Sequence, residues 1–346
     1  MSEISSPKEI YRIKETIFSD TVSVTYSAQC RYSGGSVIVK AYRKSFFPSL
    51  ETVQLLRNEA KILANIKHES ILQIIEQFES DDILYNVFEN YIGTSLLNII
   101  RNNGPYREFK MQPLFKQIVE AIFFLHSSDI AHCMICPENI LVNGEGKVKI
   151  TNFINAKTNG SSVVSSDYSG SYLFAPTEYL CVKSFYPSFA DIWALGMTLY
   201  VCIMGSHPYG NAQMHELPLI AGKMPPKKTK EMSEMLHNLI SKCLEPNQTK
   251  RFSSSQVIVH LWLNSKSTQS RPRLMSGTFS NISHNLSKDY PNKIHSNPSS
   301  TSNKIMKISS LGSIGLTPPS SYQKPTRSSL LSPALEPIGE SFVSLE

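Results

Sequence analysis

The chain has 346 residues, of which 41% are apolar and 18% charged, enough apolar material for a folded core and too much for a globally unfolded chain. The net charge of +6 sits almost wholly at one end: residues 1–264 hold 25 Lys/Arg against 24 Asp/Glu, and residues 265–346 hold 9 against 4. The near-neutral first part shows no basic surplus of the kind that points to a nucleic-acid partner.

Residues 9–18, 22–30 and 36–42 are expected to be strands, the last carrying the β-branched run Val37-Ile38-Val39 after the turn signal Ser33-Gly34-Gly35. Helical periodicity follows from Leu50 to Ile66, with Val53, Leu56, Ala60 and Leu63 on one face. Two further strands, 71–79 and 82–91, are joined at Ser80-Asp81, and a second helix carries Leu114, Ile118, Ala121 and Leu125. A hairpin is expected where Ile140-Leu-Val-Asn143 and Lys147-Val-Lys-Ile150 flank Gly144-Glu-Gly146. From 191 to 263 the pattern is mostly helical, broken at Pro208, Pro225-Pro226 and Pro246.

The longest apolar stretch, Ile192 to Met204, is too short to span a bilayer, so a buried helix and no transmembrane segment are expected. Beyond Leu263 the composition shifts to 26 Ser/Thr and 8 Pro in residues 265–346, the signature of a disordered tail. The expected division is an extension over 1–10, a domain over 11–263 and a Ser/Thr/Pro-rich basic tail over 264–346. Within the domain a β-rich lobe (about 11–89) precedes a helical lobe (about 90–263). The fold class is therefore α+β and bilobal.

The six cysteines are Cys30, Cys133, Cys136, Cys181, Cys202 and Cys243. With no secretory pattern in Met1-Ser-Glu-Ile-Ser-Ser, free thiols and an intracellular, cytoplasmic setting are expected. Cys133-Met-Ile-Cys136 is a lone C-x-x-C, a weak signal for metal or redox chemistry without a second pair.

Several short motifs occur in a telling order. Val37-Ile-Val-Lys40 ends a strand; Glu59 lies mid-helix nineteen residues on; His132-Cys-Met-Ile-Cys-Pro-Glu-Asn139 follows a long helix. Then come Lys149-Ile-Thr-Asn-Phe-Ile154, Ala175-Pro-Thr-Glu178, Asp191-Ile-Trp-Ala-Leu-Gly196, Lys250-Arg251-Phe and His260-Leu-Trp-Leu263. This ordered set resembles the eukaryotic protein kinases: V-A-I-K, the helix glutamate, H-R-D-x-K-P-E-N, K-I-x-D-F-G, A-P-E and D-x-W-x-x-G. Gly170-Ser171 and the closing His-x-Trp-Leu are similar to Ser/Thr kinases of the calmodulin-dependent and AMP-activated group.

The resemblance implies phosphoryl transfer, yet the residues that perform it are changed. The catalytic-loop aspartate is Met134, the loop lysine is Cys136 and the H-R-D arginine is Cys133. Asn152 takes the D-F-G aspartate position, so the two family metal positions hold Asn139 and Asn152, neither a carboxylate. Phe18, Asp20 and Ser23 replace the glycines of the phosphate loop, Ile38 replaces the alanine over adenine, and Thr25 a valine on the same face.

No cofactor is therefore expected, with ATP and Mg binding weak or absent. Lys40, Glu59, Glu89, Tyr91 and Asn139 would be vestigial nucleotide-binding residues, with Lys40 and Glu59 forming an ion pair that is either a remnant of the ATP clamp or, the favoured reading, a brace of the lobe. Phe88 falls at the gatekeeper position before the hinge Glu89-Asn90-Tyr91. His132, Phe153, Glu178, Asp191 and Arg251 are expected to be structural, with Arg251 on Glu178 in a register uncertain by one at Thr177. The expectation is a pseudokinase that scaffolds or biases other proteins, such as an active kinase or a phosphate-binding adaptor, and no nucleic acid. The alternative is a low-activity Ser/Thr kinase with a rearranged site.

Overall fold

The structure is a computed structural model, and it describes residues 10–47, 49–166, 171–182, 184–210 and 226–265. The expectations for the 1–10 extension, for Gly170 and for the tail lie outside the described residues, save Ile10, Asn264 and Ser265.

The first lobe is a five-stranded antiparallel sheet in the order β1-β2-β3-β5-β4, built from β1 (Tyr11–Ser19), β2 (Ser23–Cys30), β3 (Ser36–Arg43), β4 (Ile74–Glu79) and β5 (Ile83–Glu89). Helix α1 (Leu50–Ala64) packs on it. Ser49 and Thr52 close a capping box at its start. Its buried stripe is Val53, Leu56, Glu59, Ile62 and Leu63, so a carboxylate stands where the apolar periodicity placed Ala60, which is only half-buried. The strand expected from residue 71 starts at Ile74, because Ile71 instead bridges Ile150 of the second lobe.

Past the hinge come β6 (Thr94–Ser95), α2 (Leu96–Asn103), α3 (Glu108–Ser127) and β7 (Ile130–Ala131), then the hairpin β8 (Ile140–Val142) and β9 (Val148–Ile150), and β10 (Lys157–Thr158). Next are α4 (Thr177–Val182), α5 (Pro187–Met204), α6 (Glu234–Cys243), α7 (Ser254–Ile258) and α8 (Leu261–Asn264). Helix α5 is long and apolar enough to cross a membrane, but 16 of its 18 residues are buried against the rest of this lobe. Gly196 is what lets α6 approach it: a Cβ there would lie 2.6 Å from the Cβ of Cys243.

One apolar core joins the lobes. Ile62, Leu63, Ile66, Ile71, Ile74 and Phe88 from the first lobe pack with Phe115, Ile118, Ile150, Phe153 and Leu195 from the second. A residue type with a large apolar side chain at position 38 adds to this seam, since Ile38 is packed against the same cluster.

Candidate functional site

The loop after β7 is held by Asp191 at the start of α5. One carboxylate oxygen accepts the His132 N–H at 2.7 Å and the His126 Nε2–H at 3.0 Å, and the other accepts the Cys133 N–H at 2.8 Å. These bonds hold Cys133 at φ 60°, in the left-handed region that costs most side chains energy. His132 is fully buried; its Nδ1 accepts the Met134 N–H at 3.1 Å, so the proton is on Nε2, which donates to the Thr151 carbonyl at 3.0 Å. Burial holds its pKa below the ordinary histidine range, so the ring is neutral, and it meets Phe153 edge-on at 4.6 Å.

The positions that would touch metal and substrate meet in a chain of neutral groups. Asn152 Nδ2 donates to Asn139 Oδ1 at 3.3 Å, and Asn139 Nδ2 donates to the Met134 carbonyl at 2.8 Å. Asn152 Oδ1 is buried without a hydrogen-bond partner among the described residues. Asn152 also sits at φ 67°, a conformation asparagine tolerates better than most residues. Two amides, one of them already bonded to the other, do not match the carboxylate-bearing oxygen set that Mg²⁺ takes in phosphoryl-transfer sites. The Cys136 thiol is pushed up to about 11 by burial, so it is neutral and carries no charge for a transferring phosphoryl group. Among the described residues no group of three or more His, Cys, Asp or Glu is placed to hold a metal ion.

Asp20 closes the turn between β1 and β2. Its Oδ1 accepts the N–H groups of Val22 at 2.8 Å and Ser23 at 2.6 Å. Backbone amides that a glycine loop would leave for phosphate are thus bound to a carboxylate of the same turn. Phe18 and Ile17 beside it are exposed, on a strand whose residues after Tyr11 are all exposed.

The expected Lys40–Glu59 ion pair is not formed among the described residues. The pairing of β3 with β5 puts Asn86 opposite Lys40, and the Asn86 amide takes Glu59 Oε2 at 2.9 Å. Tyr42 donates to the same oxygen at 3.3 Å, and the Phe153 N–H donates to Oε1 at 2.9 Å. Lys40 Nζ lies 4.9 Å over the Tyr42 ring instead. Burial raises the Glu59 pKa, opposed first by the nearby Lys40 charge and then by these donors.

Glu89 and Tyr91 turn their side chains to bracing. Glu89 Oε1 accepts Lys149 Nζ at 2.6 Å and the Gln73 N–H at 2.9 Å, and the Tyr91 hydroxyl donates to the Lys147 carbonyl at 2.7 Å. Glu178 and Arg251 form a buried fork, with both N–H···O distances at 2.7 Å. That fixes the register: Glu178 is the partner, and Thr177 is the first residue of α4. Arg251 also stacks over Trp193 at 5.0 Å. Asn86, Gln77 and Tyr42 were not singled out from sequence, and Lys149 was read only as the start of its motif, without its partner Glu89; a polar residue on the inward phase of β5, between Leu84 and Phe88, was the available signal for Asn86.

Residues 11–263 match the family described as protein kinase domain. The chain belongs to that family. It is 32% identical over 279 residues to serine/threonine-protein kinase cds1 of Schizosaccharomyces pombe, covering 77% of this chain and 61% of that protein. It is 30% identical over 277 residues to the probable serine/threonine-protein kinase fhkD of Dictyostelium discoideum, covering 73% of this chain and 37% of that one. Testis-specific serine/threonine-protein kinase 2 of Mus musculus is 28% identical over 263 residues, covering 74% and 72%. The matched part of the chain thus spans less than two thirds of the length of the first two relatives.

Proposed function

We propose that this kinase domain is a pseudokinase, an intracellular module that scaffolds or biases other proteins rather than transferring phosphate. The observation that carries the reading is the amide chain Asn152–Asn139–Met134, in which no group is a base and none is an anionic metal ligand. General-base catalysis typically contributes about 10²–10⁴ in rate, and loss of the metal clamp compounds its absence. Asp20 supports the same reading, because its carboxylate lies where phosphate would have to approach.

The partners that fit are proteins. An active kinase is one class, and a phosphate-binding adaptor is another, reading Ser/Thr-Pro positions such as Thr317-Pro318 and Ser332-Pro333 in the basic segment after the domain. Thermal melting with ATP, with and without Mg²⁺, tests the reading. A ligand that binds the folded state raises the melting temperature by mass action. No rise at sub-millimolar ATP, and no added effect of Mg²⁺, is the expected result; a clear Mg²⁺-dependent rise counts against it.

A further inference from the structure

The segment Lys147–Phe153 is where the first lobe and the hinge are tied to the second. The Leu72 N–H donates to the Ile150 carbonyl at 2.9 Å, and the Ile150 N–H to the Ser70 carbonyl at 2.8 Å. Lys149 holds Glu89, the Lys147 carbonyl accepts Tyr91, and the Phe153 N–H donates to Glu59.

Glu59 differs from the others because it joins four elements at once. It projects from α1, is 1% exposed, and receives Asn86 from β5, Tyr42 from β3 and the backbone of Phe153. Asn86 is itself 0% exposed and is fixed by Gln77, whose Nε2 donates to Asn86 Oδ1 at 2.6 Å. A buried carboxylate with three donors is costly to disturb, since opening it strands polar groups in the core. Next to Phe153, Ile154 packs against the cluster of Tyr42, Leu56 and Leu84, which adds apolar contact between the same two parts of the molecule. The Lys40 ammonium, over the Tyr42 ring, is not among the carboxylate's hydrogen-bond partners.

We infer that Glu59, held by Asn86 and Tyr42 rather than by Lys40, is a nucleotide-independent latch that fixes α1 and the sheet against Phe153. A ligand shifts a conformational equilibrium only by its difference in affinity for the two states. Here the latch is closed by side chains already in place, so a ligand in the cleft has no open latch to close. A partner protein that reads the relative placement of α1 and the second lobe meets the same surface with or without nucleotide. The inference is independent of whether the cleft transfers phosphate.

Hydrogen exchange on the full chain tests it, reading the Phe153 amide and the α1 amides in the wild type, Lys40→Met, Asn86→Leu and Tyr42→Phe. The wild-type Phe153 amide is expected to be protected, with no change on adding ATP and Mg²⁺. Lys40→Met is expected to lower this protection less than Asn86→Leu does, since Lys40 acts on Glu59 through charge and not through a hydrogen bond. Asn86→Leu is expected to lower protection at Phe153 by roughly tenfold or more, the scale of one buried hydrogen bond. Should Asn86→Leu not fold, Tyr42→Phe and Ile154→Gly test the same latch from its other sides, each with lower Phe153 protection expected. The inference is overturned if ATP raises the protection, if Lys40→Met lowers it as much as the Asn86 or Tyr42 change, or if no latch variant alters it. Phosphate transfer is not part of the readout, so failure of the latch and failure of the pseudokinase reading are separate results.

Discussion

Asn152 donates its side-chain N–H to Asn139 at 3.3 Å, and Asn139 passes its own to the Met134 carbonyl. The residues at the two metal positions and the base position are thus linked to one another through uncharged groups. Restoring any one of them leaves the others neutral.

Met134→Asp alone is accordingly expected to show no phosphate transfer above background, because Asn152 still offers an amide to the metal. The measurement is radiolabelled phosphate incorporation by the purified variant. Recovery from that single change would show that Asn152 suffices for the metal.

Asp20 and Ile38 are expected to be the residues that keep nucleotide out. The double variant Asp20→Gly, Ile38→Ala frees the Val22 and Ser23 amides and clears space beneath the sheet. It is expected to gain an ATP-dependent rise in melting temperature that Mg²⁺ does not enlarge, since no carboxylate is added at the metal positions. A rise already as large in the wild type, or one that appears only with Mg²⁺, contradicts this.

Arg251 and Glu178 form a buried fork, and removing one side leaves an uncompensated charge. Arg251→Ala is expected to lower unfolding free energy by about 3–5 kcal/mol, read from denaturant titration. A loss under about 1 kcal/mol, the size of an exposed pair, would show that the fork is not desolvated in solution.

Two glutamates should give opposite pH dependence. Glu79 is held down to about 2, first by its hydrogen bond from Arg57 and also by Lys44. Its contribution to stability is present above the ordinary carboxylate value and lost as pH falls towards about 2. Glu59 is raised by burial, so its contribution is fully present below the ordinary value and lost as pH rises through the folded-state pKa. Melting curves of Glu79→Gln and Glu59→Gln against the wild type check this: the Glu79 difference is expected to shrink in acid and the Glu59 difference to grow. Parallel profiles for the two variants would contradict it.

The sequence made the frame legible because period and punctuation carry it. The β-branched run before Lys40, the Gly144–Gly146 turn and the apolar spacing around Leu114–Leu125 each mark an element that the structure contains. The motif order around His132, Phe153 and Asp191 identified the family. What stayed hidden were partnerships between residues far apart in the chain. Asn86 meets Glu59 only because β5 lies beside β3, and no local pattern records that register. The same holds for Lys149 on Glu89, which needs the β8–β9 hairpin folded back under the hinge. Asp20 was legible as a misplaced charge, but its role in closing its own turn depends on backbone geometry. The Lys40–Glu59 pair was expected from the resemblance to the kinase strand lysine and helix glutamate, and the Asn86 amide takes that carboxylate instead.

Absence of phosphate transfer can be read from a single comparison. Wild-type protein and Lys40→Met are incubated with γ-labelled ATP and Mg²⁺, alone and with generic protein substrates, and labelled phosphate on protein is counted. The same background count is expected for both proteins. Incorporation by the wild type that Lys40→Met abolishes would contradict it.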